Sequence, residues 1–272
     1  MGNILSRYVL VDGLKTHYLE AGKGPTLVLL HSGEFGGCAE LTWEYNIEAL
    51  AEHFHVIAPD WLGYGRSAKI FSFEDMWSFR LRHVASFLKT LYIDDAYFAG
   101  NSMGGTMLLA VAAMEKPLWN ISKAVVAGGG GFVPDNAARA ILNDYDGTRE
   151  HMARIVQTIF TNPLVRDDED YIDRRWHLSR EQGAWECTAA ARFRAPWKQP
   201  SKMPKPEDYS GVQAPVLLIV GALDPLREPG FGPKLQKQVS GSKLLVVENA
   251  GHCPQIDSPE VFNRAVIDFL SN

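Results

Sequence analysis

The chain has 272 residues, room for one large domain or two small ones, and 46% of them are hydrophobic, enough for a sizeable core. A net charge of −5, a pI near 5.9 and the lack of any basic block weigh against nucleic acid as a partner. Three scattered cysteines, Cys38, Cys187 and Cys253, form neither a disulfide framework nor a zinc pattern, and no apolar run approaches the ~20 residues that span a bilayer. A reducing cytoplasm is therefore expected, with no membrane association.

Arg7–Val11 and Lys15–Glu20 are predicted as strands joined by the hairpin turn Asp12-Gly13. Thr26–Leu30 is a predicted buried strand running into His31-Ser32-Gly33. A helix is expected over Tyr45–Glu52, then a strand over His55–Ala58. The glycine-punctuated stretch Asp60–Ser67 follows, with Asp60 read as a carboxylate that fixes the loop. Helix Met76–Leu91 carries Phe79, His83, Phe87 and Leu91 at spacings of four on one face.

The apolar run Ala96-Tyr97-Phe98-Ala99 then leads into Gly100-Asn101-Ser102-Met103-Gly104-Gly105, before the helix-like Thr106–Glu115. A serine between glycines at a strand-to-helix junction has the pattern of a nucleophile elbow. Such a turn is too tight for a side chain on either flank. It holds the hydroxyl clear of the sheet edge, at the amino end of a helix, where free N–H groups favour negative charge.

After the strand Lys123–Ala127 the regular alternation stops until about residue 213. Met152, Ile155, Val156 and Ile159 follow the i, i+3, i+4, i+7 rule, Asp167–Asp170 suit the first turn of a helix reaching Arg180, and Ala184–Phe193 forms a further helical pattern. Pro196, Pro200, Pro204 and Pro206 mark a stiff, extended return. The expected organisation is a helical cap over residues 132–206, inserted into a core made of 1–131 and 207–272. Val216–Gly221 and Leu244–Glu248 complete the strands, and Pro259–Leu270 is a closing helix. The fold class is α/β: a mostly parallel eight-stranded sheet, helices on both faces, and the cap inserted after strand six.

Ser102, Asp224 and His252 each fall just past the carboxyl end of a predicted strand, and in an open parallel sheet those loops gather on one edge. A serine hydroxyl needs a base within hydrogen-bond reach to act as a nucleophile. His252 would take its proton, and Asp224 would fix the imidazole tautomer and steady its charged form. Asp135, after the glycine run Gly128–Gly131, is the rival acid. The N–H of Met103 and that of Gly33 or Glu34 are candidate oxyanion donors, on a loop that His31 would brace. The other histidines lie at no metal-ligand spacing, and Gly128–Gly131 lacks a dinucleotide context, so neither metal nor cofactor is expected.

The order Ser, Asp, His resembles that of the α/β-hydrolase superfamily. Within it, the chain is similar to the meta-cleavage-product hydrolases, on the residues 100–105, Arg175-Trp176, Gly251-His252 and Phe262–Leu270. The resemblance implies hydrolysis of a carbon–carbon bond in a 2-hydroxy-6-oxo-dienoate of aromatic degradation. Ser102, Asp224 and His252 would then be the catalytic residues. Arg175, Trp176 and Asn101 would bind the substrate, with Arg175 on its carboxylate. It also implies a small-molecule partner and a homo-oligomer. Two departures stand out: the loop reads His31-Ser32-Gly33-Glu34-Phe35-Gly36-Gly37 where a glycine run with proline is usual, and Cys253 replaces a tryptophan. A carboxylesterase or lactonase would use the same machinery. A hydrolase-fold receptor or a cofactor-free oxygenase are the further alternatives.

Overall fold

The computed structural model describes residues 4–192 and 208–272. The proline-marked return through Pro196, Pro200, Pro204 and Pro206 lies outside them, as does the end of the predicted 184–193 helix. Eight strands form one sheet: β1 (Leu5–Val11), β2 (Leu14–Ala21), β3 (Thr26–Leu30), β4 (His55–Pro59), β5 (Ala96–Asn101), β6 (Ile121–Ala127), β7 (Val216–Gly221) and β8 (Lys243–Val247). Their spatial order is β1-β2-β4-β3-β5-β6-β7-β8. Pairing is antiparallel for β1–β2 and β2–β4 and parallel from β4 to β8. The β1–β2 turn has positive φ at both Asp12 and Gly13 (50° and 80°), the primed twist that lets two strands pair closely. Val216 to Val220 are all buried, as a strand covered on both faces must be.

Four helices precede the break in alternation: α1 (Ala39–Trp43), α2 (Ile47–Ala51), α3 (Met76–Thr90) and α4 (Met103–Ala112). Between β6 and β7 lie α5 (Ala137–Asn143), α6 (Arg149–Ile159), α7 (Pro163–Arg166), α8 (Glu169–Ser179), α9 (Ala184–Ala189) and a 3₁₀ turn, Ala190–Arg192. Three more follow: α10 (Phe231–Gln238), α11 (Pro254–Asp257) and α12 (Pro259–Ser271). The predicted helix over 45–52 is the shorter α2, and α1, outside that window, precedes it. Between them Asn46 turns inward, its amide donating to Gln255 O and Asn263 Oδ1 at 2.9 Å each, which stops a continuous helix. The unpredicted α1, α5, α7, α10 and α11 are short, and a few residues carry too little periodicity to announce themselves.

Among the described residues, buried apolar side chains sort into three clusters. One face of the sheet packs against α3, α4 and α10 through Phe87, Leu108 and Leu235; the other packs against α1, α2 and α12 through Trp43, Leu50 and Phe262. The third cluster joins Met152, Ile155, Val156 and Ile159 of α6 to Phe35, Leu226 and Cys253, from the loops after β3, β7 and β8. The predicted apolar face of α6 is therefore the one that seats the inserted helices on the carboxyl edge of the sheet. Polar bonds pin it there. Asp257 Oδ1 accepts the N–H groups of Thr161 (2.8 Å) and Asn162 (2.9 Å), its Oδ2 accepts that of Gly251 (2.7 Å), and His252 N–H donates to Ile159 O (3.1 Å).

Candidate active site

Strand β5 stops at Asn101, and Ser102 enters a strained conformation, φ 51° and ψ −111°, before α4 begins at Met103. The flanking glycines make this possible. A Cβ on Gly104 would lie 2.2 Å from Leu30 O, and one on Gly100 would lie 2.6 Å from Gly104 C. Both obstacles are backbone, which cannot give way. The serine's own N–H is tied to Ala127 O at 2.9 Å, and its side chain stays partly exposed.

Ser102 Oγ, the His252 ring and the Asp224 carboxylate are hydrogen-bonded in series: Nε2 to Oγ at 2.8 Å, and Nδ1 to Oδ2 at 2.8 Å. His252 and Asp224 are almost wholly buried. Burial by itself would raise the Asp224 carboxyl, but the adjoining imidazole, its hydrogen bond and the N–H of Leu226 (2.9 Å to Oδ1) hold it below the ordinary carboxylate value. The ring nitrogen facing Asp224 is thus set as the donor, which leaves Nε2 to accept the serine proton. Asp135 takes no part; it is exposed at the approach to α5. Arg227, unremarked in the sequence, holds the acid's loop by donating to Gly128 O (2.6 Å) and Phe132 O (3.0 Å). Gly128, at φ 59°, lies so close to His252 that a Cβ would be 2.5 Å from its carbonyl oxygen.

Met103 is the first residue of α4, so its N–H has no partner within the helix. Gly33 lies directly against it: a Cβ there would be 2.7 Å from Met103 Sδ. The loop after β3 and the head of α4 thus meet beside Ser102. That loop is braced by His31, whose Nδ1–H donates to Ser32 O (2.6 Å) while Nε2 accepts from Trp61 N–H (3.0 Å). Burial pushes His31 down to about 4, so the ring is neutral, as one donor and one acceptor require. Tyr64 donates to Gly33 O at 2.8 Å. Asp60 fixes the neighbouring loop by accepting from His17 Nδ1–H (2.7 Å) and from the N–H groups of Ala39 and Arg66 (both 2.8 Å).

The residues that the resemblance offers as substrate ligands each have partners within the protein. Asn101 is fully buried, donates to Ala127 O (3.1 Å) and accepts from Cys253 Sγ (3.6 Å), so it spans the floor beneath the serine. Trp176 gives its indole N–H to Gly147 O at 3.0 Å, among the inserted helices. Arg175 is buried in an ion pair with Glu34, Nη2 to Oε2 at 3.4 Å. The carboxylate of the departing His31–Gly37 loop is thus paired with this guanidinium. Among the described residues no cluster of His, Cys, Asp and Glu is gathered as for a metal ion, and no helix is long and apolar enough to cross a membrane.

The eight-stranded sheet with a serine on a strained strand-to-helix turn, and a histidine and an aspartate from later loops, defines an α/β hydrolase. The sequence matches the alpha/beta hydrolase family over residues 27–265, and the chain belongs to it. It resembles the meta-cleavage-product hydrolases of that family over its whole length. It is 32% identical to a 2-hydroxy-6-oxo-6-(2'-aminophenyl)hexa-2,4-dienoic acid hydrolase of Metapseudomonas resinovorans, across 98% of this chain and 91% of that one. It is 31% identical to a 2-hydroxy-6-oxononadienedioate/2-hydroxy-6-oxononatrienedioate hydrolase of Burkholderia vietnamiensis, across 97% and 95%. The crystal structure of a serine hydrolase involved in carbazole degradation superposes with a TM-score of 0.83 at 30% identity, covering 99% of each chain.

Proposed function

We propose that this chain hydrolyses a carbon–carbon bond in a 2-hydroxy-6-oxo-dienoate, with Ser102, His252 and Asp224 as its catalytic residues. The observation that carries the reading is the unbroken hydrogen-bonded series from Ser102 Oγ to Asp224 Oδ2, in a chain similar end to end to hydrolases of such dienoates. The dienol first becomes its keto tautomer, which makes C5 able to leave with an electron pair. Ser102 then adds to the C6 carbonyl as its proton passes to His252 Nε2. The oxyanion formed is met by the N–H of Met103 and by a donor from the Gly33-Glu34 segment; each such donor is worth about 2.7–4 kcal/mol in a preorganised site. The C5–C6 bond breaks, the proton on His252 goes to C5, and water releases the acyl group as a carboxylic acid. The inserted helices α5–α9 exclude other water and fit the acyl substituent.

The test is a comparison of kcat/KM for 2-hydroxy-6-oxo-6-phenylhexa-2,4-dienoate and for short p-nitrophenyl esters. The dienoate is expected to be the better substrate and to yield benzoate and 2-hydroxypenta-2,4-dienoate. Faster ester turnover, with the dienoate left intact, replaces this reading by that of an esterase or lactonase using the same serine.

A further inference from the structure

Glu34 and Arg175 form a buried ion pair beside the catalytic histidine, and the pair is incompletely satisfied. Their side chains are 7% and 3% exposed, and Nη2 to Oε2 is 3.4 Å, a loose contact for a charge-assisted bond. Glu34 Oε1 and Arg175 Nε are both buried with no hydrogen-bond partner among the described residues. An orphaned acceptor and an orphaned donor on one buried pair mark a place where a ligand completes the bonding.

The charges limit which ligand that is. Among the described residues, Glu34 is the carboxylate that touches Arg175. A guanidinium with one countercharge is balanced; a second carboxylate brought to it leaves one buried negative charge uncompensated, which is costly in a site sheltered from water. The balance is restored if Glu34 takes up a proton as the ligand arrives. Its carboxyl then keeps an acceptor and gains an O–H to donate.

We propose that Glu34 determines which ligands this site admits: a ligand carboxylate reaches Arg175 only together with one proton, which Glu34 binds. The inference rests on the dienoate reading above. The groups whose charge Glu34 meets are Arg175 from α8, His252 and Cys253 from the loop after β8, His31 after β3 and Tyr64 after β4. Burial pushes the Glu34 carboxyl up, but Arg175, His252 and a hydrogen bond from Ser32 outweigh it, so the free protein carries Glu34 ionised at neutral pH. The proton must therefore come from solvent on binding.

The experiment is calorimetry on the Ser102→Ala protein with 2-hydroxy-6-oxo-6-phenylhexa-2,4-dienoate and with its methyl ester, in buffers of different ionisation heat. The ester keeps the dienol and lacks the charge, so protons exchanged by the dienol cancel in the comparison. Relative to the ester, the acid is expected to take up about one proton per site, and its Kd to rise about tenfold per pH unit between pH 6 and 8. In the Ser102→Ala/Glu34→Gln protein the extra uptake and the pH slope disappear, and the acid binds at least about tenfold tighter at pH 8. Equal proton counts for acid and ester overturn the proposal, whether or not the Glu34→Gln protein folds. Uptake that persists in Glu34→Gln also overturns it, because another group then binds the proton. So does failure of the acid to bind. Turnover of the dienoate by wild type is read separately: absent turnover with proton-linked binding removes the carbon–carbon reading and leaves Glu34's role standing.

Discussion

Asp257 ties the inserted helices to the loop that carries His252, and replacing it should damage stability and turnover together. Its two oxygens accept three backbone N–H groups, two from the link between α6 and α7 (Thr161 and Asn162) and one from Gly251, the residue before His252. Asp257→Asn keeps the shape but removes the charge and turns an amide NH₂ against one of the three donors. Hydrogen bonds to a charged partner contribute about 1.5–3 kcal/mol each, and a buried donor left unmet costs about 1–3 kcal/mol. Because the three share one acceptor group and do not add fully, the loss should be about 3 kcal/mol for asparagine and about 5 for alanine. With a urea dependence of about 3 kcal/mol per molar, asparagine lowers the unfolding midpoint by about 1 M. His252 is itself tethered by its N–H to Ile159 O at 3.1 Å, so slack in this junction moves the imbalance to the imidazole. A displacement of about 1 Å there is worth roughly 10²-fold in kcat. Urea titration followed by fluorescence and a dienoate assay on the same preparation measure both. A midpoint shift under about 0.3 M with unchanged kcat would refute the view that this carboxylate couples the inserted helices to the His252 loop.

Gly104→Ala should yield no correctly folded protein, since its Cβ would stand 2.2 Å from Leu30 O; soluble expression with wild-type circular dichroism contradicts that. Asp224→Asn should fold and lose about 10⁴-fold in kcat, because the amide no longer enforces the imidazole tautomer; a loss under tenfold would remove Asp224 from the relay. Stability should fall as pH drops from about 6.5 toward 4. Burial holds both His31 and His83 at about 4 in the folded protein, so over that interval the unfolded chain binds protons that the folded one does not. Urea midpoints at pH 7 and pH 5 check the sign, and a higher midpoint at pH 5 would be inconsistent with neutral, buried rings.

Much of this site is legible in the amino-acid order because its constraints are local. The elbow needs glycines at 100 and 104 for steric reasons that act within a few residues, and β5, β7 and α6 announce themselves by apolar pattern. Position past a strand end then brings Ser102, Asp224 and His252 to one edge without any long-range information. What stayed hidden depends on contacts across the fold. Arg175 and Glu34 are 141 positions apart, and nothing near either one reveals the other. Asp257 reads as an ordinary acidic residue before a helix-starting proline, yet two of its three donors come from residues 161 and 162. Arg227 likewise looks like a surface cation beside Glu228 and is turned inward to the carbonyls of Gly128 and Phe132.

The measurement closest to the heart of the account is dienoate turnover by wild type and Ser102→Ala under identical conditions. Loss of the hydroxyl should depress kcat by about 10⁶-fold, as expected for a nucleophile acting as one unit with its base, while the dienoate still binds. Carbon–carbon cleavage by Ser102→Ala at more than about a hundredth of the wild-type rate would contradict the account, because the hydroxyl held by His252 would then not be the attacking group.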